Sequence, residues 1–264
     1  MNFKKAVQFI KQNGNETEQA RLSYVLSNVH ASAEIIAKLF ADQRSDGGWS
    51  PFWADNYSSL DATCFRLAQA EQLGITESEI AVRRALDFLT RRQSSDGSWE
   101  EDIKVADSAP PWAKPSEVSA KLYLTANCGL WLALWGNRDD RTSKAAEYLQ
   151  TYLDQDGHLP SFLHAHWLAG GLYHKLNWQV STRILEYLRI RINDLAASNL
   201  SWLITTLCAA GVPPRHPLLE EAALLLEQNQ KDDEYWESED GPSRNVHSTL
   251  EAIRALSLCG RDVR

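Results

Sequence analysis

The sequence contains no run of about 18 apolar residues, so no segment is expected to span a membrane. No CxxC pair is present. Cys64, Cys128, Cys208 and Cys259 stand alone, which argues against a structural zinc site or a thioredoxin-type centre. Isolated cysteines of this kind are expected to be reduced core thiols of a cytoplasmic protein. Cationic excess is also missing: 27 Lys and Arg stand against 35 Asp and Glu, a net charge of −8. Such a chain is poorly suited to phosphate backbones, so nucleic acid is not an expected partner. The start, MNFKKAVQFIKQNGNETEQ, has no small-residue cleavage site, and no signal peptide is expected. Strand signals are lacking too, with no sustained two-residue alternation and no Asn-Gly hairpin between apolar runs. Methionine occurs once, but tryptophan occurs ten times. With 44% hydrophobic residues over 264 positions, the chain can bury a real core and is not disordered.

The tryptophans fall in repeats. LFADQRSDGGW carries Gln43, Asp46, Gly47 and Trp49; FLTRRQSSDGSW carries Gln93, Asp96, Gly97 and Trp99. A third copy, LLLEQNQKDDEYW, keeps Gln230 and Trp236. A worn copy, YLQTYLDQDGHL, holds Gln155, Asp156 and Gly157 but ends in Leu159. Each copy follows an amphipathic helical pattern, and Asp-Gly then breaks the helix. A more apolar helix comes next, as in SLDATCFRLAQAEQLG, SEVSAKLYLTANCGLWLALWG and VHSTLEAIRALSLCG. Their glycines 74, 136 and 260 are placed to end them. The pattern predicts twelve helices, near 2–13, 16–28, 31–43, 57–73, 77–93, 115–135, 141–154, 160–176, 178–192, 195–210, 215–230 and 244–259. Helices apolar on most faces are buried ones. The expected fold is therefore all-α: six inner and six outer helices in one α/α toroid, a single domain over 1–264. Within the repeats, glutamine and tryptophan are expected to tie neighbouring helix pairs together.

FLTRRQSSDGSW and LFADQRSDGGW resemble the QW repeats of squalene and oxidosqualene cyclases. The two-helix unit is similar to that of the terpenoid cyclase and protein prenyltransferase superfamily, whose fold is an α6–α6 toroid. In class II terpene cyclases the general acid is the middle aspartate of a DxDD(T)A motif opening an inner helix. The matching stretch is Ser59-Leu60-Asp61-Ala62-Thr63-Cys64. The resemblance makes Asp61 the acid, with Ser59 and Ala62 where the family has flanking acids. Prenyltransferase β-subunits bind zinc through Asp-x-Cys and a histidine. His247 matches that histidine, but Asn199-Leu200-Ser201 replaces Asp-x-Cys, so no metal site is expected. No cofactor is implied, except magnesium should the substrate be a diphosphate.

Aligning the inner helices by their own sequences brings Asp61, Glu117 and His247 to one level, with His164 and Asn199 added by looser alignment. These residues would form a polar ring where helix N-termini add positive potential. Asp61, Glu117, His164 and His247 are the catalytic candidates. His166, two residues from His164, points to a different helix face. Trp112, Tyr123, Trp131, Phe162, Trp167 and Trp202 are the candidate wall of a cavity for a hydrophobic isoprenoid. Their π faces suit carbocations. The Pro-rich segment 104–117 is placed to lid the mouth, and the acidic segment 231–240 reads as a hydrated loop. The reading is a protonation-initiated isoprenoid cyclase, with a second copy or a partner chain completing the cavity wall. A non-catalytic toroid binding a lipid, peptide or partner protein, and a metal-dependent prenyltransferase relative, stay open at this point.

Overall fold

A computed structural model describes residues 2–136, 140–231 and 234–261. Asp232 and Asp233 of the acidic segment lie outside the described residues. Among those described the fold is all-α, with twelve α-helices: α1 (Phe3–Asn13), α2 (Glu16–Ser27), α3 (Ala33–Phe40), α4 (Leu60–Glu71), α5 (Ile80–Arg92), α6 (Val118–Trp135), α7 (Asp140–Gln150), α8 (Leu163–Lys175), α9 (Val180–Ile190), α10 (Ala197–Ala209), α11 (Pro217–Gln228) and α12 (Asn245–Leu258). Strand pairing is limited there to two isolated bridges. No helix among the described residues is long and apolar enough to cross a membrane.

Each expected helix is present, and most are a turn shorter. Local chemistry explains the trimming. The start of α4 moves from 57 to 60 because Ser59 pairs its N–H with the Trp49 carbonyl. The end of α7 moves from 154 to 150 because Asp154 N–H turns to the His158 carbonyl in the worn repeat. At α12, Gly260 takes φ +72° and Arg261 N–H bonds the Leu256 carbonyl, a glycine stop. Gly136 also ends its helix, but in extended conformation.

The helices group into two compact units: Met1–Ile36, Gln72–Gly74 and Leu188–Arg264 form one, Ala37–Glu71 and Ile75–Tyr187 the other. In the second unit α6 packs against α4, α5, α7 and α8, and every residue from 122 to 133 is buried. This is the all-round burial expected of an apolar helix. Helix α4 departs from it. It buries Leu60, Thr63, Cys64, Leu67 and Ala70, but turns out Phe65, which is 53% exposed. In the first unit α12 packs against α1, α2, α10 and α11.

The repeats act through hydrogen bonds. Gln43 Nε2 donates to the carbonyls of Gly47 and Ala81 at 2.9 and 2.8 Å; Gln93 Nε2 donates to those of Gly97 and Arg141, both at 2.9 Å. Each glutamine thereby closes its own loop and grips the start of the next outer helix, α5 or α7. Gln230 makes only the grip, at the start of α1, accepting from Asn2 N–H at 2.8 Å and donating to its carbonyl at 3.1 Å. The tryptophan N–H groups are met from the following inner helix: Trp49 by Thr63 Oγ1, Trp99 by Thr125 and Trp236 by Thr249, at 3.3, 3.0 and 3.1 Å. In the worn copy Leu159 N–H donates to His166 Nε2 at 2.9 Å. His166 thus fills the threonine position, while Leu153, not Gln155, falls at the glutamine position. The loop glycines lie against backbone. A Cβ on Gly97, at φ +90°, would come 2.4 Å from the Lys144 carbonyl oxygen.

Gly97→Ala therefore pays both left-handed strain and a backbone clash, and should lower stability by more than about 1 kcal/mol. Gly211 has φ +93° with nothing within 4 Å of its would-be Cβ, so Gly211→Ala should cost strain alone and clearly less. Urea midpoints of the two variants test the ranking. Thr125→Val keeps the shape but leaves the buried Trp99 N–H unpaired, and should cost about 1–3 kcal/mol in the same measurement.

Candidate functional site

Asp61 lies in the first turn of α4, yet its side chain does not cap that helix. Its Oδ1 accepts from Tyr123 Oη at 2.7 Å and its Oδ2 from Trp112 Nε1 at 3.1 Å. Tyr123 stands one turn into α6, and Trp112 is carried by a 3₁₀ turn, Pro111–Ala113, in the Pro-rich segment. That segment thus reaches over the carboxyl group. The hydroxyl of Tyr123 also accepts from Asn127 Nδ2 at 3.3 Å, one turn farther along α6. Because an amide N–H and an indole N–H can only donate, this chain of bonds points the tyrosine O–H at Asp61. Burial lifts the Asp61 carboxyl above the usual aspartate range, with Tyr123 and Trp112 pulling it back. Burial and the neighbouring Asp61 raise the Tyr123 hydroxyl well above the ordinary tyrosine range.

His164 joins this group through its ring. It lies edge-on to Tyr123 at 4.8 Å between centroids and stacks on Phe162 at 5.3 Å, with Trp167 at 5.9 Å. Burial, helped by the nearby His166, lowers its pKa to about 4, so the imidazole is neutral at physiological pH. His166 faces elsewhere, with Nδ1 near the carbonyl oxygens of Phe162 and Leu163 and Nε2 on Leu159 N–H. The expectation that the two histidines diverge is met.

Two further candidates of the same unit stand apart from this cluster. Glu117 is the exposed N-cap residue of α6 and makes no side-chain capping bond. Trp131 pairs with Trp135 at 4.9 Å, eight residues beyond Tyr123 and so about 12 Å along the helix. His247 and Trp202 belong to the other unit. There His247 Nδ1 lies 3.3 Å from Arg21 Nη1, and Arg21 is bonded to the buried Glu251. Burial lowers the His247 pKa. Asn199 donates to Glu239 at 3.3 Å. Among the described residues no three His, Cys, Asp or Glu groups are arranged to hold a metal ion.

Sequence reasoning missed Glu101. Its carboxylate lies beneath the start of α4, 3% exposed, where Oε1 accepts from Ser59 Oγ, Leu60 N–H and Asp61 N–H at 2.6, 2.9 and 3.3 Å. Oε2 accepts from Tyr57 Oη at 2.7 Å. The available signal was three successive acids immediately after Trp99, in a chain whose helix starts attract anions. Below Asp61, the thiols of Cys64 and Cys128 lie 3.8 Å apart, both free and buried.

Solved structures share this architecture. A type II terpene cyclase MstE from Scytonema, an arginine-to-alanine variant with geranylgeranyl dihydroxybenzoate as substrate, is 11% identical with a TM-score of 0.62. The match covers 97% of this chain and 96% of that one. An aspartate-to-alanine variant of the same enzyme, with its product merosterolic acid A, is 12% identical with a TM-score of 0.58, covering 97% and 95%. A protein from Actinoplanes is 16% identical with a TM-score of 0.61, covering 98% of both chains. At these identities the likeness establishes the fold. The model of the squalene-hopene cyclase C-terminal domain matches residues 19–174, a span that holds Asp61, Trp112, Tyr123 and His164. The chain belongs to the squalene-hopene cyclase C-terminal domain family.

Proposed function

We propose that the protein is a class II terpene-cyclase-like enzyme, in which Asp61 protonates a linear isoprenoid and starts its cyclisation. The observation that carries this reading is the Asp61 carboxyl itself. It is half-buried and held on both oxygens by donors from two other segments. Burial raises its hold on the proton, the two donors fix its direction and favour the carboxylate left behind, and a carboxyl group so placed can give a proton to an alkene.

The steps balance without a cofactor. The alkene π pair takes the Asp61 proton, forming a C–H bond and leaving a carbocation on the neighbouring carbon. The π pair of the next double bond closes the ring and moves the charge along. Loss of a proton from the last cation and return of one to Asp61 complete an isomerisation. Tyr123, Phe162, Trp167 and the neutral ring of His164 offer π faces to the passing charge. Once the proton has left, Tyr123 and Trp112 stabilise the new carboxylate, so their bonds strengthen as the transition state forms. The bound ligands of MstE, a geranylgeranyl-bearing substrate and a terpenoid acid product, support the isoprenoid class.

Incubation with farnesyl or geranylgeranyl diphosphate, or with squalene, should give cyclised products by gas chromatography and mass spectrometry. Asp61→Asn should lower turnover by at least about a hundredfold; unchanged turnover in that variant overturns the proposal. The pH dependence follows from the direction of the Asp61 shift. The acid works only while protonated, so the rate falls as pH rises through its raised pKa. Tyr123→Phe removes a donor that favours the carboxylate. The falling limb of its rate profile should therefore move to higher pH, with a lower plateau.

A further inference from the structure

We propose that Glu101 is a positioning residue for Asp61: it occupies the amide groups at the start of α4 and opposes ionisation of the neighbouring acid. The inference deepens the proposed function, since it assumes that Asp61 must hold a proton to act.

An aspartate in the first turn of a helix normally meets free N–H groups and the positive end of the helix dipole, and both favour its carboxylate. Such a residue would be a poor proton reservoir. At α4 those groups are already taken. Glu101 Oε1 accepts the N–H of Leu60 and of Asp61, and Ser59 Oγ accepts that of Ala62 at 3.2 Å. Ser59 in turn donates to Glu101 at 2.6 Å. All four groups bonded to the Glu101 carboxyl are therefore donors, the shell of a carboxylate rather than of a carboxylic acid. Burial outweighs those donors and leaves the Glu101 carboxyl above its ordinary range, with Arg92 pulling it back toward the charged form. Its negative charge lies against the backbone of Asp61, and a like charge so close favours the protonated neighbour. Among the described residues the side chain of Asp61 bonds Tyr123 and Trp112.

The surrounding charges are few. On the Glu101 side, Arg92 at the end of α5 reaches Tyr57 Oη at 3.3 Å, Tyr57 accepts from Asp102 N–H at 2.9 Å, and Lys104 stands over the Tyr57 ring at 5.1 Å. On the Asp61 side the titratable neighbours are Tyr123 and Cys128 from α6, Cys64 from α4 and His164 from α8; burial raises the Tyr123 hydroxyl and the Cys64 thiol and keeps His164 neutral. Arg92 is thus the cation that tempers Glu101.

Trp112 supplies a readout that needs no turnover. Its indole N–H bonds Asp61 Oδ2, so its resonance in an ¹⁵N-labelled sample should titrate with the Asp61 carboxyl. Asp61→Asn should abolish that step and so assign it. Glu101→Gln keeps the volume but removes the charge, and should lower the midpoint by about one pH unit. Arg92→Met should raise it, and serves alone if Glu101→Gln does not fold. Glu101→Asp, which keeps the charge, should restore most of the shift. A midpoint that stays put in both Glu101→Gln and Arg92→Met overturns the inference, because a merely structural role would change melting without moving the titration. Absence of cyclised product from the wild type would overturn the proposed function and leave this titration standing, so the two fail separately.

Discussion

The bond from a repeat-loop N–H to an inner-helix side chain is the constraint on which the rest depends. Three buried tryptophans, Trp49, Trp99 and Trp236, each bring a backbone N–H into an interior where no water can meet it. A threonine on the next inner helix accepts it in every case, and that threonine also donates to the carbonyl four residues behind. The register between loop and helix is thereby fixed to one residue. Gly47, Gly97 and Gly157 then let each loop sit directly on the backbone of the next outer helix. The glutamine adds the lateral grip. Together these contacts set where α4 and α6 begin, and hence where Asp61 and Tyr123 meet.

The site is a product of that register. Thr63 holds Trp49, and two residues before it on the same turn stands Asp61; Thr125 holds Trp99, and two residues before it stands Tyr123. The two repeats thus deliver the carboxyl group and its hydroxyl partner by the same offset. Ser59 and Glu101 fall at the same helix start, the second carried in by the chain just beyond Trp99. Polar groups buried at this density are stable only when every partner is present. Here each carboxyl oxygen of Asp61 and of Glu101 has a donor.

Much of this was legible in the sequence. Helix number and order followed from apolar periodicity, and the repeat spacing identified the loops and their glycines. Asp61 and His164 were found because they open helices whose sequences align. Tyr123, Phe162 and Trp167 were found as aromatics on inner helices. What escaped were relations carried by distance along the chain. Glu101 lies 42 positions from Ser59, and nothing local announces that its carboxylate turns back beneath α4. In the sequence His166 stands only as a residue facing away from His164; the Leu159 bond alone reveals it as a substitute threonine. The open face of α4 was hidden as well, since Phe65 reads as core in any one-dimensional pattern.

The clasp between Gln230 and Asn2 has a further consequence for how the molecule is made. Two hydrogen bonds join residues 228 positions apart, so α1 can complete its outermost contacts only after residue 230 has been synthesised. Closing so distant a pair is slow relative to the local hairpins of helices between them. Helix α1 is therefore seated only after α12 has been made, and until then its apolar side, with Phe3, Ala6 and Ile10, has no α12 to cover it.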